Sequence, residues 1–110
     1  MVQEKLIYHE RVEYNQRWKF DDFVDKLPGA KLAIHKSHDP SCKGQYQKAW
    51  HVNGVTVVCD YQYKDFGLEQ VNLVKITAIG NPKPISELEK ILIKNARKIL
   101  TKPLELKGIR

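Results

Sequence analysis

The sequence predicts an α+β fold of two layers, a mostly antiparallel sheet of four to five strands with two helices packed on one face. Three observations carry it. Short stretches alternate apolar and polar residues with a period of two. Two segments instead repeat at helical spacing, and an Asn53-Gly54 pair sits between β-rich runs, the strongest short-range hairpin signal a sequence offers.

In chain order, Leu6, Tyr8, Val12 and Tyr14 alternate with Ile7, His9, Arg11 and Glu13, which predicts a strand over residues 5–14. Phe20, Phe23, Val24 and Leu27 fall at i, i+3, i+4 and i+7, so residues 16–27 form an amphipathic helix with Asp21, Asp22 and Asp25 outside its apolar stripe. Pro28-Gly29 ends it. Residues 31–37 alternate again, with Leu32 and Ile34 on one side and Lys31, Ala33, His35 and Ser37 on the other, and His38 to Gly44 is turn chemistry throughout.

A two-residue turn at Asn53-Gly54 sets the hairpin register. Val52 faces Val55, His51 faces Thr56, Trp50 faces Val57, and so on to Tyr46 opposite Tyr61. Trp50, Val52, Val55, Val57, Cys59 and Tyr61 then share an apolar face, and Gln47, His51, Thr56, Asp60 and Gln62 a polar one. Residues 71–79 are apolar on both sides, which suits a central strand. Ser86-Glu87-Leu88-Glu89 has capping-box spacing and predicts a helix from Ser86 to about Lys102, where Pro103 stops it. The chain is therefore expected to form a single domain over residues 1–102 with a basic tail over 103–110.

The 110 residues carry 19 Lys+Arg against 13 Asp+Glu, and the excess is localised. Residues 1–82 hold 11 cations and 10 anions, whereas residues 83–110 hold 8 and 3. On the last helix Lys90, Lys94 and Arg97 project within about 60° of one another, and Lys98, Lys102 and Arg110 extend the basic surface. Such a surface concentrates polyanions, so the leading expectation is a nucleic-acid-binding protein acting on RNA or single strands. Tyr46, Tyr63, Phe66 and Trp18 are candidate aromatic platforms for bases. An adaptor or inhibitor that binds an acidic protein partner asks for the same cations, and an edge strand offers a route to a homodimer.

A second expectation is catalytic. If the strands are neighbours, alternation puts His35, His51 and Lys75 on one open sheet face, a set that could cleave RNA without metal: one imidazole removes the 2′-OH proton, another protonates the leaving oxygen, and Lys stabilises the phosphorane. No cofactor is expected, since Gly-x-Gly-x-x-Gly, Walker A and His-Glu-x-x-His patterns are absent. His35, His38, Cys42 and Cys59 are possible zinc ligands, but their spacing matches no zinc motif, and no metal is expected. The N-terminal decapeptide has no apolar stretch of signal-peptide type and nothing in the chain reaches the length of a membrane span. A cytoplasmic protein with free thiols is expected.

At the level of element order, residues 18–102, read as helix, strands, helix, resemble a double-stranded-RNA-binding domain. Such domains carry lysines at the start of the last helix, where this chain has Ser86-Glu87-Leu88-Glu89. The small basic sheet with a preceding helix also resembles the compact toxin ribonucleases, which implies RNA cleavage without transferring any residue role.

Overall fold

The computed structural model describes residues 2–11, 16–37, 46–65 and 70–100, excepting the side chains at 16–18, 35–37, 46, 63–65 and 70–72. The order is β1 (Gln3–Arg11), α1 (Gln16–Asp25), β2 (Ala30–Ser37), β3 (Tyr46–Val52), β4 (Val55–Asp65), β5 (Gln70–Gly80) and α2 (Pro82–Leu100). The five strands form one sheet, ordered β1-β5-β4-β3-β2, with every neighbour antiparallel. β1 and β2 are its edges, and the apolar β5 lies inside it, as does β4.

The hairpin has the register its turn demands. All seven pairs from Tyr46↔Tyr61 to Val52↔Val55 form, and the turn residues Asn53 and Gly54 take φ of 49° and 84°. A type I′ turn needs both values positive, and Asn and Gly reach that region at least cost. Asn53 also donates from Nδ2 to the Pro28 carbonyl at 3.2 Å. It thereby ties the hairpin tip to the turn after α1, where Gly29 has φ +82° and a Cβ would stand 2.5 Å from Asn53 Oδ1.

The core follows from the alternation. Trp50, Val52, Val55, Val57, Cys59, Tyr61, Val74, Ile76 and Ala78 from three strands are all nearly inaccessible. They cluster with Ile7 and Tyr8 of β1, with Phe20 and Val24 of α1, and with Ile85, Leu92, Ala96 and Leu100 of α2. Phe23, Leu27, Leu88, Ile93 and Ile99 pack around this cluster.

Four expectations change. Asp21 falls outside the apolar stripe of α1 yet is only 3% exposed. It accepts a hydrogen bond from Tyr61 Oη at 2.5 Å and faces Lys48 Nζ at 3.5 Å. Asp25 accepts from Trp50 Nε1 at 2.6 Å. Aspartates that sequence periodicity assigns to solvent thus satisfy polar atoms at the edge of an otherwise apolar core, because a buried indole N–H or phenol needs a partner.

Two β-bulges break the alternation of the edge strands. In β1 the register shifts between Leu6 and Tyr8, so Leu6 pairs with Thr77 and Tyr8 with the adjacent Ile76. Neighbouring residues of β5 point to opposite sides, and accordingly Leu6 is 54% exposed while Tyr8 is 8%. Val12 to Tyr14, expected within this strand, lie outside the described residues. In β2 the shift lies between Leu32 and Ile34, which pair with Trp50 and Ala49. Leu32 and Ile34 therefore fall in rows on opposite sides of the sheet, against the expectation that they share one.

Finally, α2 begins at Pro82, four residues before the capping box. Ile85 N–H bonds to the Asn81 carbonyl at 3.2 Å. Pro82 and Pro84 are tolerated because first-turn N–H groups have no partner inside the helix in any case. Ser86 therefore is no N-cap, and Glu89 bonds Lys5 of β1 instead, at 2.8 Å. Among the described residues no helix is long and apolar enough to cross a membrane.

Candidate nucleic-acid interface

α2 carries the basic surface, and its early start enlarges it. Ile85, Leu92, Ala96 and Leu100 face the core, which turns Lys83, Lys90, Lys94, Arg97 and Lys98 outward, all of them exposed. Lys83, Lys90 and Arg97 are spaced by seven residues and so keep one heading to within about 20° per step. Lys94 lies beside them. Lys83 joins this surface because α2 starts at Pro82 and not at Ser86, and the sequence signal for that start is the Pro at position 82. Lys102 and Arg110 lie outside the described residues.

Acidic groups on the same helix are Glu87 and Glu89. Glu89 is engaged by Lys5, which offsets its charge where it borders the stripe. Along the flank that carries Glu89 runs an open groove of about 590 Å³ lined by Ser86, Glu89, Lys90, Ile93, Lys94 and Arg97. The Lys5–Glu89 pair places this flank toward β1, as does the electrostatic influence of Arg97 on Tyr8. Burial pushes the Tyr8 phenol up to about 12, Glu10 adds to the rise and Arg97 opposes it.

The expected catalytic trio does not converge. His51 is exposed, shares a hydrogen bond from Nδ1 with Thr56 Oγ1 at 3.2 Å, and pairs with Lys31 across to β2. Position 35, moved by the bulge, pairs with Lys48, whose row continues to Cys59 and Ile76 of the core set. Position 35 thus lies in the register row of the core set, and His51 does not. Lys75 pairs with Asp60 and His9. Asp60 lies four residues beyond Thr56, so His51 and Lys75 stand roughly 16 Å apart between backbones, with two strand spacings across and four residues along. His38 and Cys42 lie outside the described residues. Cys59 is fully buried, and burial first, then the charge of Asp21, pushes its thiol well up, so it stays protonated and unreactive.

Among the described residues the rows of His51 and Lys75 carry no aromatic side chain on which a base could stack. Tyr8, Trp50 and Tyr61 are buried in the core, and positions 46 and 63 pair with Tyr61 and Asn72, on that same set of rows. Phe66 lies outside the described residues, and Trp18 lies in α1. The rows of His51 and Lys75 instead flank a row of Leu6, Thr77, Val58, Ala49 and Ile34.

Compared with protein-family models, with curated proteins and with solved structures, the chain finds no match.

Proposed function

We propose that the protein binds nucleic acid through α2, with Lys83, Lys90, Lys94, Arg97 and Lys98 holding backbone phosphates. The observation that carries this reading is the exposure of all five cations on one amphipathic helix whose other side is locked into the core. Phosphate contacts need positive charge at regular spacing and no particular base edge. The finer architecture belongs to the same reading. Both helices pack on one sheet face, since the side-chain partners of α1 are Trp50, Tyr61 and Lys48 and the partner of α2 is Lys5, all in core-side rows. α2 then lies over β1 and β5 with its basic side away from the sheet.

An acidic protein partner would meet the same cations, and competition by heparin against a labelled oligonucleotide would not distinguish it. A direct comparison does. Reversal of charge in Lys90→Glu, Lys94→Glu, Arg97→Glu should lower affinity for a labelled RNA or single-stranded DNA by more than ~30-fold in fluorescence anisotropy, at about 1 kcal/mol per contact. Unchanged affinity would sink the reading. Since His51, His35 and Lys75 are dispersed, no acid–base pair is assigned to them, and the RNA should be recovered intact.

A further inference from the structure

The basic stripe of α2 borders an open depression. Along the side that faces β1 it drops into the groove of about 590 Å³ whose walls mix charge and hydrocarbon: Lys90, Lys94 and Arg97 on the outer rim, half-buried Ile93 within, and Ser86 at one end. The groove is open to solvent, and every described residue of its lining belongs to α2. Glu89, the acidic member of the lining, is already held by Lys5 at 2.8 Å.

We infer that this groove seats one unpaired nucleotide of a single strand, its phosphate on Lys90, Lys94 and Arg97 and its base against Ile93. The inference rests on the α2 reading and adds a substrate class to it. Charge complementarity selects the phosphate. The apolar wall selects what accompanies it, since a bare anion gains nothing from Ile93 whereas a base leaving water does. Duplexes turn their phosphates outward and keep their bases stacked, so a base could enter only by flipping out, at a cost of a few kcal/mol, while a single strand avoids most of that cost. Ile93 presents no hydrogen-bonding group, so the seat tolerates any base. Among the described residues Ser86 is the uncharged polar side chain on the lining, and it is the natural partner for a sugar or base edge.

Electrostatics alone would give the opposite preference. A duplex carries one charge per ~1.7 Å of axis, a denser array than a single strand, and a featureless basic stripe would bind it better. The test compares anisotropy of a labelled dT12 strand and of a 12-base-pair duplex at equal, moderate salt. The full chain should bind the single strand at least ~5-fold tighter. Ile93→Ser should erase that preference while leaving duplex affinity within ~2-fold. Ser86→Leu fills the groove from an exposed position without altering charge, and should do the same even where the Ile93 variant folds poorly. Equal binding of both ligands, or a preference that survives Ser86→Leu, overturns the groove and leaves the α2 reading intact. Binding of neither ligand overturns both.

Discussion

Tyr8 shows how much one hydroxyl can depend on context that a sequence does not display. Its ring belongs to the core, yet its Oη is buried without a hydrogen-bond partner among the described residues. An unpaired buried hydroxyl stabilises nothing, and removing it relieves a desolvation cost of about 1–3 kcal/mol. Its folded pKa is raised from 10 to about 12. Above pH 10 the unfolded chain releases the proton and the folded chain keeps it, so the native state binds more protons and stability falls as pH rises from 10 toward 12. Tyr8→Phe should therefore be neutral to stabilising at pH 7 and should lose less stability than wild type between pH 9 and 11.5, measured by urea unfolding. A variant clearly weaker than wild type at pH 7 would show that the hydroxyl has a partner after all. Asp21 is the converse case, a carboxylate made structural by Tyr61 and Lys48, residues that lie 40 and 27 positions away in the chain.

At the scale of elements, the two bulges matter most. Bulges bend edge strands and blunt them against unwanted pairing, and this sheet has one in each edge strand. In β2 the extra residue is Ala33, exposed, with Leu32 and Ile34 already paired to Trp50 and Ala49 on either side of it. Deleting Ala33 leaves those pairings and their faces unchanged. The deletion should fold with a thermal midpoint within ~5 °C of wild type, equivalent to about 1 kcal/mol. A drop beyond ~10 °C would mean that the bulge supports the twist of the whole edge. For α2, the apolar pattern from Leu88 to Ile99 identified the helix, but the capping-box spacing at Ser86 misplaced its start. The Asn81-Pro82 junction, with Ile85 bonded back to Asn81 and buried, outcompetes it, because extending the helix by one turn buries a further isoleucine.

Over the whole molecule, charge and core are arranged on opposite sides of α2, and binding at such a surface should depend steeply on salt. If four or five of the cations release counterions from a single strand, log K should fall against log salt with a slope of roughly −3, from −0.7 per phosphate. Anisotropy titrations between 50 and 200 mM salt would measure it, and a slope near zero would remove phosphate contact as the source of affinity. The hairpin register, the core set on β3 and β4, the central place of β5 and the basic side of α2 all follow from local periods and one turn, since each is a property of contiguous residues. Strand order, both bulges, the burial of Asp21, the joining of Lys83 to the stripe and the separation of His35 from His51 arise only when elements meet. An edge strand paired on one side has no second neighbour to hold its alternation, so its register yields to twist and packing, and one inserted residue is enough to move position 35 out of the set of rows that holds His51.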